Sequence, residues 1–220
     1  YNEEDVLELL YTRLNDILST LNHKYNFELL FVNDGSTDNT LNILKELRKK
    51  DSQVCFLNLS RNYGKEVAMI AGLDYSKGDA LIIIDADLQD PPELIPEMIS
   101  YWEQGYDDIY AKRNSRKGET WLKKFTSKMY YKILQKVTKI EIQKDTGDFR
   151  LLDRRCVEAL KSMRESQRYT KGLFSWIGYK KKEILFDRAP RAAGKTKWNY
   201  KKQYQRNNQY IQLSFCFRRH

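Results

Sequence analysis

Asp85 and Asp87 stand one residue apart in Asp85-Ala86-Asp87-Leu88-Gln89-Asp90-Pro91-Pro92-Glu93, directly after the aliphatic run Leu81-Ile82-Ile83-Ile84. Such a run reads as a strand buried on both faces. Two carboxylates at its end repel each other and lose hydration, and a divalent cation relieves both costs. Oxygen donors of this kind suit Mg2+ or Mn2+, which keep water and share substrate phosphates. The carboxyl end of a strand is also where open α/β sheets take their ligands. The stretch reads as a metal–diphosphate site, or, more plainly, as an acidic loop leading into a helix at Pro91-Pro92.

Three further segments carry chemistry. Asn33-Asp34-Gly35-Ser36-Thr37-Asp38 ends a second apolar run, Phe27 to Val32. Turn geometry accounts for Gly35 and Ser36 but not for Asp34 at the tip. Gly147-Asp148-Phe149-Arg150 places an acid beside a base. Four cations, Arg188, Arg191, Lys195 and Lys197, surround Gly194; they read as a solvated loop or as a clamp on a diphosphate.

Composition removes other chemistries. The 220 residues hold two histidines, His23 and His220, too few for histidine acid–base work or a histidine-rich metal site. Three scattered cysteines, Cys55, Cys156 and Cys216, give no disulfide framework and suit a reducing compartment. A net charge of +9 calls for an anionic partner: a nucleotide-sugar, an anionic membrane surface or a nucleic acid. Acidic strand ends and dispersed lysines argue against nucleic acid. No apolar run in these residues nears the roughly 20 that a membrane span needs.

The elements that must position these groups alternate. A helix is expected over 3–21, with Val6, Leu9, Leu10, Leu14, Ile17, Leu18 and Leu21 on its buried face and Asn2 as its cap. Strands are expected at Phe27–Val32, Val54–Leu59, 81–84 and Asp108–Ala111. Helices are expected over about 38–50, through Val67, Ile70, Ala71 and Leu73, and from Pro92 to about Gln104. This alternation predicts an α/β fold with a mostly parallel sheet flanked by helices. The second half adds a long amphipathic helix over 119–140, read most simply as core-packed with a lysine-rich wet face, or else as an interfacial helix on anionic lipid, which Trp121, Tyr130 and Tyr131 suit. A helix over 154–163 and a strand over 182–186 follow. After Tyr200 the sequence reads as polar and irregular.

Taken in order, Tyr1-Asn2-Glu3-Glu4, Asn33 to Asp38, Asp85 to Glu93, Gly147 to Arg150 and Arg191 to Trp198 resemble family 2 glycosyltransferases of GT-A (Rossmann-like) fold. They are most similar to the polyprenyl-phosphate glycosyltransferases. The resemblance covers roughly residues 1–200 as one catalytic domain and leaves 201–220 as an irregular tail. It implies an apolar strand before Tyr1 and two transmembrane helices after about residue 200. Neither is in these residues, so a truncated, peripheral domain at the cytoplasmic face of the membrane is expected.

The resemblance also implies roles. Tyr1, Asn2 and Glu4 lie along the nucleotide. Asp34 hydrogen-bonds the base, and Ser36 and Asp38 shape its turn. Asp85 contacts the ribose or sugar, while Asp87 and Gln89 hold Mg2+ or Mn2+. Arg188, Arg191, Lys195 and Lys197 face phosphates. Asp148 lies nearest the acceptor, with Asp85 and Arg150 beside it in the catalytic set; Asp145 competes for that place, and a salt bridge to Arg150 is the plainer reading of Asp148. The implied reaction moves a hexose, from UDP-glucose, to undecaprenyl phosphate with inversion. A phosphate monoester has its second pKa near 6 and arrives ionised, so Asp148 is expected to align rather than to deprotonate. Rival readings are a family 2 enzyme acting on a glycan hydroxyl, a sugar-nucleotide pyrophosphorylase, a nucleic-acid-binding module and an inactive fragment.

Overall fold

A computed structural model describes residues 1–114, 146–163, 170–187 and 212–219. Helix α1 (Leu7–Ser19) buries Leu7, Leu10, Leu14 and Leu18, the i, i+3, i+4 stripe of an amphipathic helix. Leu9, expected on that face, is 51% exposed. Strand β1 (Tyr25–Asn33), α2 (Thr40–Lys50), β2 (Val54–Asn58), α3 (Lys65–Tyr75), β3 (Ala80–Asp85), α4 (Ile95–Glu103) and β4 (Asp108–Arg113) follow in the expected alternation. Beyond them lie β5 (Thr146–Asp153), α5 (Arg154–Ser162), α6 (Thr170–Trp176), β6 (Lys181–Phe186) and β7 (Gln212–Arg219). The helix expected over 119–140 falls outside the described residues.

The strands form one seven-stranded sheet in the order β2-β1-β7-β3-β5-β4-β6. Alternate side chains of β3 feed opposite layers. Ile82 and Ile84 join α1, α2 and α4, while Leu81 and Ile83 join Met69 and Leu73 of α3, Val157 and Leu160 of α5 and Phe174 of α6. Burial on both faces explains the unbroken aliphatic run. On α3 the inward residues are Ala68, Met69, Gly72 and Leu73; Val67, expected among them, is exposed.

Two expectations need correction. The sheet is mixed: β1–β2 and β4–β6 are parallel, whereas β7 runs antiparallel to both β1 and β3, and β5 antiparallel to both β3 and β4. The tail is not irregular throughout. Residues 212–219 form β7 in the middle of the sheet, pairing with 25–32 on one side and 80–85 on the other. Phe217 fixes it there, its ring 5.3 Å from Tyr25, 5.9 Å from Phe27 and 5.1 Å from Trp102.

Candidate active site

The ends of β1 and β3 and the start of α3 meet on one rim. The first four residues lace onto the loop after β1. Asn2 N–H donates to Ser36 Oγ at 2.9 Å, Thr37 N–H donates to Asn2 Oδ1 at 2.9 Å, and Glu3 N–H donates to Thr40 Oγ1 at 3.1 Å. Glu4 N–H donates to Asp38 Oδ2, and the Glu4 carboxylate accepts from Asn39 N–H. Asn2 therefore does not cap α1, whose N-cap Val6 has no side-chain cap. Its φ of +56° is the left-handed conformation that asparagine tolerates, and it turns the side chain toward Thr37. The structure thus brings Asn2, Glu4, Ser36 and Asp38 together, with half-buried Tyr1 beside them in the chain.

Asp34 does a different job from the one expected. It is fully buried, and its two carboxylate oxygens accept from Tyr63 N–H at 2.7 Å and Gly64 N–H at 2.9 Å. A turn braced by these bonds leads straight into α3, and no exposed carboxylate is left to reach a base. Gly35 is required beside it: φ is +64°, and an added Cβ would lie 2.4 Å from the Arg61 carbonyl carbon.

That brace delivers Lys65, the first residue of α3. Its ammonium lies 2.7 Å from Asp85 Oδ2 and 2.7 Å from Asp148 Oδ2, with all three side chains largely buried. Burial alone lowers an ammonium pKa; Asp85 and Asp148 outweigh it and raise Lys65 above its ordinary value. Asp85 is pushed up by burial, opposed by Lys65 and reinforced by Asp148 and Asp87. Asp85 Oδ1 is buried with no hydrogen-bond partner. Lys65 escaped the sequence reading, although a signal existed. A lysine in the first turn of a helix opposes the helix dipole and calls for a carboxylate partner.

Asp87 is 3% exposed, and its Oδ1 accepts Gln89 N–H at 3.1 Å. Leu88 between them holds φ +56°, a conformation that strains a bulky side chain and is kept by the surrounding burial. Asp85, Asp87, Gln89 and Asp90 offer oxygen donors alone, which suits a hard cation. Among the described residues no three His, Cys, Asp or Glu side chains converge as a metal-holding group. A cation that takes one or two protein ligands and shares substrate phosphates needs no such group, so these residues fit Mg2+ or Mn2+.

Arg150 is corrected. It is fully buried, with Nη1 donating to Asp108 Oδ2 at 3.1 Å and Oδ1 at 3.3 Å and its guanidinium 3.7 Å from the Phe174 ring centroid. Asp148 pairs with Lys65, a partner the plainer reading did not include. Arg188, Arg191, Lys195 and Lys197 lie outside the described residues, as does Asp145.

An α/β/α sheet with carboxylates gathered at a strand end has the arrangement in which open α/β sheets take their ligands. The comparisons make the class specific. Residues 1–161 match Glycosyl transferase family 2, and the chain belongs to that family. It is 54% identical to an uncharacterized glycosyltransferase of Synechocystis sp. over 91% of this chain and 62% of that protein. It is 41% identical to a prophage bactoprenol glucosyl transferase homolog of Escherichia coli, over 90% of this chain and 64% of that one. The bactoprenol glucosyl transferase of Shigella phage SfV is 40% identical over the same shares. The chain thus spans about three fifths of the length of these relatives. In fold it resembles glucosyl-3-phosphoglycerate synthase of Mycobacterium tuberculosis, with TM-score 0.53 and 19% identity over 88% of this chain and 70% of that one. The expected GT-A fold class stands.

Proposed function

We propose that this chain is the catalytic part of an inverting glycosyltransferase that moves a hexose from a nucleotide-sugar to a polyprenyl phosphate. The observation that carries the reading is the Asp85–Lys65–Asp148 junction beside the Asp87 loop, in a chain 40% identical over most of its length to a bactoprenol glucosyl transferase. The partner-free Asp85 Oδ1 supports a contact to a donor hydroxyl. Asp87 and Gln89 would hold Mg2+ or Mn2+, which supplies charge neutralisation for the departing diphosphate. Asp148, already an ion-paired carboxylate, orients the acceptor rather than taking its proton. The acceptor is ionised on arrival, and the chain's contribution is positioning and electrostatics. UDP-glucose is the proposed donor and undecaprenyl phosphate the proposed acceptor, met at a membrane surface. Among the described residues no helix is long and apolar enough to cross a membrane.

The test incubates the protein with UDP- or GDP-linked radiolabelled sugars, Mn2+, and either undecaprenyl phosphate or a neutral glycan. Label in the lipid fraction with UDP-glucose, lost on chelation and restored by Mn2+, is the expected result. Label in the glycan alone overturns the acceptor, and transfer that survives complete chelation overturns the metal.

A further inference from the structure

We propose that Lys65 is a positioning residue that makes this site accept an anionic nucleophile. The inference rests on the function proposed above and deepens it by naming what admits a phosphate acceptor. Two carboxylates, Asp85 and Asp148, share one buried rim and would repel an incoming phosphate dianion. The Lys65 ammonium touches both at 2.7 Å, so one cation offsets two anions and fixes both in place. With both carboxylates fixed and their charge partly offset, the rim repels an incoming anion less than two bare carboxylates would. Lys65 is itself placed by structure and not by chance. Asp34 holds the Tyr63 and Gly64 amides, Gly64 precedes the helix, and the close approach at Gly35 locks the turn. Through Asp148 the loss of Lys65 is felt on the acceptor side, and through Asp85 on the donor's sugar hydroxyl, which free UDP lacks.

The experiment is a double-mutant cycle on lipid-phosphate transfer, with Lys65→Met, Asp148→Asn and the pair, alongside calorimetric titration of UDP with Mn2+. Lys65→Met is expected to lower kcat/KM for undecaprenyl phosphate about 100-fold, as a displaced acceptor would. UDP affinity is expected to stay within about twofold, because a positioning role leaves donor binding intact. With Asp148 already neutral there is less repulsion to offset, so Lys65→Met should cost far less in the Asp148→Asn background. Lys65→Arg serves as the second variant. It keeps the charge but not the point geometry, and it should recover part of the loss. Independent, multiplying losses in the cycle overturn the proposal, as does a fall in UDP affinity that matches the loss of turnover. The two readings separate cleanly: wild-type transfer to lipid phosphate tests the function, and the cycle tests Lys65. Wild-type transfer to neutral glycan alone overturns both.

Discussion

Arg150 and Lys65 show how differently two buried cations serve one sheet. Lys65 sits at the rim between two carboxylates, while Arg150 lies in the interior on the same strand as Asp148, paired with Asp108 and stacked on Phe174. Removing one member of a buried pair leaves the other charge uncompensated, which costs about 3–5 kcal/mol. Arg150→Met is expected to lower stability by that order in urea unfolding, and Asp108→Asn added to it should restore much of the loss. Transfer per folded molecule should fall less than tenfold. A larger catalytic loss at unchanged stability would return Arg150 to the catalytic set. From sequence Arg150 could not be told from a site residue, because strand alternation puts residues 148 and 150 on one face without saying which neighbour each will meet.

Helix α5 depends on a single carboxylate at its start. Asp153 accepts from Arg155 N–H at 2.9 Å as the N-cap, from Arg155 Nε at 3.1 Å and from the Trp102 indole N–H at 2.8 Å, tying α5 to α4. Partial burial raises its pKa, but these donors together lower it below the ordinary carboxylate value. The native state therefore gains stability from ionised Asp153 above the unfolded pKa, near 4. That gain disappears as pH falls through the lower, folded value. Asp153→Asn should cost about 1 kcal/mol at pH 7 and flatten the decline of Tm between about pH 5 and 2. Parallel Tm curves for variant and wild type would show that the carboxylate is not responsible. Asp38 Oδ1 likewise makes a local contact, accepting Thr40 N–H at the start of α2, whereas the partners of Asn2 come from the loop after β1.

At the scale of the whole molecule, β7 decides whether the sheet is continuous. It bridges β1 and β3, and Asp79 N–H adds a backbone bond to Phe217 O at 2.7 Å. Without it, two strands rich in Val, Ile, Leu and Phe would present open edges. Ending the chain at residue 211 is expected to abolish the cooperative thermal transition and to cause aggregation. Phe217→Ala alone should cost about 3–5 kcal/mol by leaving a cavity among Tyr25, Phe27 and Trp102. A shortened chain that melts cooperatively at the original temperature would mean the sheet closes another way. Leu213, Phe215 and Phe217 alternate with Ser214 and Cys216, a period-2 signal that was present in the sequence. The polar stretch before it masked that signal.

The amino-acid order alone determined what depends on neighbours along the chain: buried strands from unbroken aliphatic runs, helices from i, i+3, i+4 stripes, and acidic groups delivered to strand ends at Asp34 and Asp85. Only the tertiary structure decided which of those groups meet. Asp85 and Asp148 share Lys65 because β3 and β5 became antiparallel neighbours beneath α3, and Asp34 turned inward to hold the amides that start that helix. Strand order and ion-pair choice are settled by distances that exist after the sheet is assembled, and no local period in the sequence encodes them.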